Sequence, residues 1–244
     1  MAHGYPRDLL ERVLGDYEAA RDPERAAAMS RYMRDRFPFF GIAAPARRVI
    51  DRRAQAEAGP PPDASALAAA ARTAWSDPRR EPQYMASELL ARHVGVVGPA
   101  GLDLCAELIT TKSWWDTVDA IAAHVVGPLV RTTPGLVGEV DRWARGDDMW
   151  LARAAIIHQL GFRERTDAGR LFEYARLRGG DEEFFIRKAI GWSLRQYART
   201  DPDAVRAFVA AHATSLSPLS RAEAMKHLGG DPLRPTRPPA PPDP

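Results

Sequence analysis

A repeat period constrains this chain more than any other feature. The segment "DDMWLARAAI" at 147–156 aligns with "DEEFFIRKAI" at 181–190, so Trp150 matches Phe184, Arg153 matches Arg187 and Ile156 matches Ile190. Trp115 stands 35 residues before Trp150, and Phe184 stands 34 after it. A unit of that length holds two antiparallel helices. One such pair cannot bury its apolar face alone, so pairs stack into an α-solenoid. The tetratricopeptide consensus is absent, which leaves an all-α, HEAT-like stack as the expected fold. Such stacks curve and present a long concave surface, lined mainly by the second helix of each pair.

Helix signals run along nearly the whole sequence. Asp22 as N-cap and Pro23 at the first helical position open "RDPERAAAMSRYMRDRF", and Pro45 opens "PARRVIDRRAQAEA". "GPPPDAS" at 59–65 breaks the chain and offers Asp63 or Ser65 as the next cap. Further helices are expected at about 64–75, 81–93, 99–110, 113–126, 134–145, 148–160, 166–177, 182–198, 202–213 and 218–227. No stretch alternates as a strand would. One repeat domain is expected over 1–230, followed at 231–244 by a disordered or polyproline-like tail with seven prolines in fourteen residues.

Composition removes several function classes. The single cysteine, Cys105, excludes a disulfide framework and a cysteine-based zinc site. The charged first helix lacks the apolar core of a signal peptide, and no stretch approaches the roughly 18 uncharged apolar residues of a membrane span. The expected location is the cytoplasm. A net charge of +2 argues nothing by itself. Of 34 basic residues only Lys112, Lys188 and Lys226 are lysine. The arginine excess fits phosphate recognition, but from composition alone the codon bias of a GC-rich genome is the better reading.

The most unusual local stretch is "TKSWWDTVD" at 111–119. Trp115 and Asp119 are four residues apart, which puts an aromatic plate and a carboxylate on one helix face about 6 Å apart along the axis. Trp114 points about 100° away and reads as core. Asp116 reads as a structural acid. Asp119 and Arg153 are 34 residues apart, one repeat, and Trp192 lies five residues past Arg187. In a regular stack these side chains fall on one surface. Taken singly, each also has a structural reading: tryptophans pack between repeats, Asp119 caps a helix or pairs with an arginine, and Arg153 partners an acid. His124 and His158 read as ordinary helix or core residues.

Several motifs in register resemble the AlkD-type DNA alkylation repair glycosylases. They are "MSRYMRDRFPFFGI", "TKSWWDTVD", "MWLARAAI", "FFIRKAIGWSLRQYA" and "LSRAEAMKHL", and together they span about residues 6 to 228. The resemblance implies a HEAT-like fold that holds duplex DNA. It also implies hydrolysis of the N-glycosidic bond of cationic N3- and N7-alkylated purines, with no metal or organic cofactor. By position it implies a catalytic carboxylate at Asp119, sugar-facing aromatics at Trp115 and Trp192, and a basic residue beside them at Arg153. Tyr32 matches a position near the DNA, and Lys188 and Arg195 are further candidates for DNA contact. A monomer acting on double-stranded DNA, without membrane partners, is expected.

The chemistry accommodates these residue types. An alkylated purine already carries positive charge and leaves without a general acid. The site must instead stabilise an oxocarbenium-like sugar and guide water, which one carboxylate can do. Aromatic faces favour a developing cation, and an arginine can hold a backbone phosphate. Two other uses of such a stack remain open: a module that grips DNA without cutting the bond, and a protein scaffold. The scaffold needs no acid among aromatics, and the DNA-binding module tolerates its neutralisation.

Overall fold

A computed structural model describes residues 4–228, and the Pro-rich segment expected at 231–244 lies outside them. Every regular element among the described residues is helical. The described residues form two compact units, divided after Glu139. The first contains α1 (Tyr5–Ala19), α2 (Pro23–Tyr32), α3 (Ala44–Ala58), α4 (Ala64–Ser76), α5 (Arg80–Arg92), a short α6 (Val94–Val97), α7 (Gly101–Thr110), α8 (Trp115–Ile121) and α9 (Gly127–Thr132). After α10 (Val137–Arg145), the second continues with α11 (Met149–Ile157), α12 (Ala168–Leu177), α13 (Phe184–Tyr197), α14 (Pro202–Ala211) and α15 (Pro218–Ala224).

The start signals act as the sequence suggested. Asp22 accepts from Arg25 N in α2, and Asp63, rather than Ser65, caps α4 through Ala66 N at 2.8 Å. Asp148, Asp167, Asp201 and Ser217 cap α11, α12, α14 and α15 in the same way. The repeat period is also visible in where helices begin. Trp115 is the first residue of α8, Trp150 the second of α11 and Phe184 the first of α13.

One expected helix, 113–126, takes a different form. After Ile121 the chain passes through a π-helical turn, Ala122–Val126, and then continues as α9 to Thr132. Pro128 is the physical reason. It has no N–H to return to the carbonyl four residues back, and the wider turn lets the helix run past it. A 3-10 turn, Pro134–Leu136, similarly replaces the first turn expected of the helix at 134–145.

Contacts one repeat apart hold each unit together. In the first, Tyr17 bonds Asp51, Arg72 pairs with Glu107, and Trp75 Nε1 donates to Thr111 O at 2.9 Å. In the second, Tyr174 donates to Asp141 at 2.6 Å, Arg178 Nε donates to Ala144 O at 2.7 Å, and Lys188 pairs with Glu223 at 2.8 Å. Two contacts of this spacing also cap helices. Lys112 Nζ reaches Trp75 O and Asp77 O at the end of α4, at 2.5 and 2.7 Å, while Arg178 reaches Ala144 O and Gly146 O at the end of α10. A cation there satisfies orphan carbonyls and opposes the negative end of the helix dipole. The first core is built on Leu9, Val13, Leu67, Leu89, Leu90, Val118 and Ile121, and the second on Ile157, Ile186, Ile190, Leu194, Val205 and Val209, all buried. In the second unit α13 packs closely on α15. A Cβ at Gly191 would lie 2.5 Å from Glu223 Cβ and 2.9 Å from Ser220 O, so no larger residue fits.

Candidate active site

The two tryptophans of "TKSWWDTVD" part company, because Trp114 precedes α8 in extended conformation while Trp115 begins the helix. Trp114 is buried beneath the Arg36 guanidinium, which lies 4.3 Å from its ring. Trp115 is half-buried, and Tyr32 meets it edge-on with ring centroids 6.2 Å apart. Tyr32 itself is 72% exposed, an unusual position for an aromatic without a surface role. Asp119 follows Trp115 by one turn of α8 and is half-buried.

Asp116 is the structural acid. Its side chain is 6% exposed, and Arg80 holds both of its oxygens, Nε to Oδ2 at 3.0 Å and Nη2 to Oδ1 at 2.6 Å. Tyr84 donates to Oδ2 as well, at 2.6 Å. Burial first, and then the Asp116 charge, push the Tyr84 phenol well above its ordinary range, so it remains a donor.

Beside Trp115 lies a cavity of about 560 Å³, lined by Met29, Tyr32, Met33, Arg47, Tyr84 and Trp115 among others. No sequence signal points to it, since its wall comes from α2, α3, α5 and α8 together. Arg47 on this wall is buried and bonds Asp51 at 2.5 Å and Glu88 at 2.6 Å. Burial raises the Asp51 carboxyl to about 6, against the opposing pull of Arg47 and Tyr17.

The remaining candidates belong to the second unit. Arg153 on α11 is buried at 5% exposure. Its Nη1 donates to Phe185 O at 2.5 Å, and its guanidinium lies 5.7 Å from the Phe185 ring. Helix α11 packs on α13, where Trp192 is half-buried. Lys188 and Arg195, also on α13, both pair with Glu223 of α15. His158 is buried in the core, and burial lowers it to about 4, while His124 is exposed on the π-helical turn. The Cys105 thiol is fully buried and pushed up to about 12. Among the described residues no three His, Cys, Asp or Glu side chains are grouped to hold a metal ion.

Sequence reasoning missed the supporting shell: Arg80, Glu81, Tyr84 and the Arg47–Asp51–Glu88 cluster. A signal was available for one of them. Arg80 precedes Asp116 by 36 residues, one repeat, the spacing at which the other stacking pairs occur.

A solved structure described as a predicted DNA alkylation repair enzyme from Enterococcus faecalis is similar, with 32% identity and a TM-score of 0.78, over 86% of this chain and 97% of that one. Functionally curated proteins provide no match. Residues 13–228 match the family model described as DNA alkylation repair enzyme, and the chain belongs to that family.

Proposed function

We propose that the protein is an AlkD-type DNA glycosylase, which hydrolyses the N-glycosidic bond of cationic N3- and N7-alkylated purines in duplex DNA. The observation that carries this reading is the pairing on α8 of a half-buried Trp115 and a half-buried Asp119, with exposed Tyr32 set edge-on against the tryptophan. In this reading the Asp119 carboxylate stabilises the oxocarbenium-like sugar and orients the attacking water. Trp115 offers a π-face to the same developing charge, and the resemblance gives Trp192 the same role. Arg153, Tyr32, Lys188 and Arg195 contact the DNA backbone. The protein acts as a monomer on a HEAT-like scaffold, in the cytoplasm, without a metal or organic cofactor.

The substrate's own charge makes it a good leaving group, so selectivity need not come from reading a base edge. The base can remain stacked while the site works on sugar and backbone, unlike the extrusion that most glycosylases use. The test compares single-turnover release of 7-methylguanine, a bulky N3-adenine adduct and uracil from one duplex sequence. Release of both alkylated bases and retention of uracil are expected. Efficient uracil release, or rejection of the bulky adduct beside good methyl excision, would indicate a closed flipping pocket.

A further inference from the structure

We propose that Arg80, acting through Asp116 and Tyr84, is a positioning residue for this site: it sets the first turn of α8 and so the direction of Trp115 and Asp119. The proposal rests on the glycosylase reading for its kinetic consequence, but not for its structural one.

The starting point is a missing cap. Helices α2, α4, α11, α12, α14 and α15 each begin with an Asp or Ser whose side chain accepts from the first turn. Helix α8 begins after Trp114, which has no such cap bond, a lack it shares with α1, α3, α5, α7 and α13. The turn leading into it is conformationally costly, since Lys112 adopts a left-handed φ of 53°. Arg80, one repeat earlier and 0% exposed, cannot accept those N–H groups, since a guanidinium only donates, but it anchors the same turn through its oxygen acceptors. Its Nη1 donates to Lys112 O at 2.9 Å and to Gln83, and its Nη2 donates to Asp116 at 2.6 Å and Thr117 Oγ1 at 2.8 Å. With Nε on Asp116, all five guanidinium N–H groups are engaged. The guanidinium also lies 3.9 Å from the Phe37 ring, in the segment between α2 and α3.

An uncharged or aspartate cap would hold a helix start with far less desolvation. Removing a guanidinium from water is justified only by near-complete pairing. What a five-donor fork provides beyond a cap is a single geometry: it fixes Lys112, Asp116 and Thr117 relative to α5 at once. Trp115 lies between those anchors, and Asp119 follows one turn on. Lysine cannot substitute, having three donors and no planar fork.

The experiment uses the full chain carrying Arg80→Lys or Tyr84→Phe, with 5-fluorotryptophan incorporated and the Trp115 ¹⁹F resonance assigned by Trp115→Phe. Excision of 7-methylguanine is measured under single turnover, and affinity for undamaged duplex in parallel. Misplacement of a catalytic group by about 1 Å costs up to 10²-fold. Arg80→Lys is therefore expected to slow excision by about tenfold or more, and Tyr84→Phe, which keeps the Arg80 pair, by several-fold. Affinity should stay within about twofold, and the Trp115 resonance should shift or broaden in both. If Arg80→Lys fails to fold, Tyr84→Phe decides. A folded variant with an unchanged rate, a rate loss matched by equal affinity loss, or an unmoved Trp115 resonance would overturn the proposal. If the wild-type protein releases no base, the glycosylase reading fails separately, and positioning is judged on the Trp115 resonance alone.

Discussion

Glu81 offers a demanding test of how the first unit is held together. Its carboxylate is 0% exposed and accepts three backbone N–H groups: Phe40 at 3.0 Å on Oε2, and Gly41 at 2.8 Å and Ile42 at 3.3 Å on Oε1. The segment it holds has no room to adjust. Gly41 sits at φ +90°, where a Cβ would fall 2.1 Å from Asp22 O, and Phe40 O accepts from Asp22 N at 3.0 Å. Replacing Glu81 with glutamine keeps the shape but puts an amide NH₂ opposite one of the N–H donors. That donor loses its acceptor, at about 1–3 kcal/mol, and the bonds that survive lose their charge assistance. The sum is about 3 kcal/mol, or roughly 6–12 °C in melting temperature for a unit of this size. Urea or thermal unfolding measures the loss, and amide hydrogen exchange at Phe40, Gly41 and Ile42 locates it. A melting point within about 2 °C of wild type, with those amides still protected, would refute the reasoning.

Three further outcomes follow from the geometry. Asp119→Asn should lower single-turnover excision on the order of 10²–10³-fold while duplex affinity is retained; a rate within about threefold of wild type would remove Asp119 from the chemistry. Glu223→Gln takes away the carboxylate shared by Lys188 and Arg195. If those cations meet phosphates, it should tighten DNA binding and steepen the log–log salt slope by up to about two, whereas an unchanged slope assigns both to structure. Burial holds His158 at about 4, below its ordinary 6.5, so the folded state resists the proton that the unfolded state accepts. Stability is then full above pH 6.5 and declines as pH falls towards 4, by about 3 kcal/mol in total. Urea titrations from pH 7 to 4.5 should show this decline reduced in His158→Gln. That comparison is needed because Asp51, raised to about 6, works in the opposite direction.

The helical class and the repeat were legible because they rest on local and periodic signals. Proline and aspartate at helix starts, and Trp115, Trp150 and Phe184 at fixed spacing, survive any detail of packing. Within "WWDTVD" the burial of Trp114 was legible, but the reason was not: Trp114 parts from Trp115 because it precedes α8 in extended conformation, not by a helical offset. The supporting shell was not. Arg80, Glu81 and Tyr84 derive their meaning from partners 32 to 41 residues away. Only packing shows that Arg80 spends four of its five donors on one helix start. The π-helical turn at Ala122–Val126 has no plain sequence signal, because Pro128 suggests an end to a helix, whereas here the chain widens and passes it. The cavity beside Trp115 is a property of four helices at once and has no sequence signature.

The most direct test of the proposed function follows the fate of the lesion and its strand. A duplex carrying a single 7-methylguanine is incubated with the protein, the soluble fraction is analysed for free base, and the DNA is treated with alkali. Free 7-methylguanine in amounts matching an alkali-labile abasic site at the lesion position is expected from glycosidic hydrolysis. An intact strand with the methylated base still in place, or with guanine restored there, would contradict it.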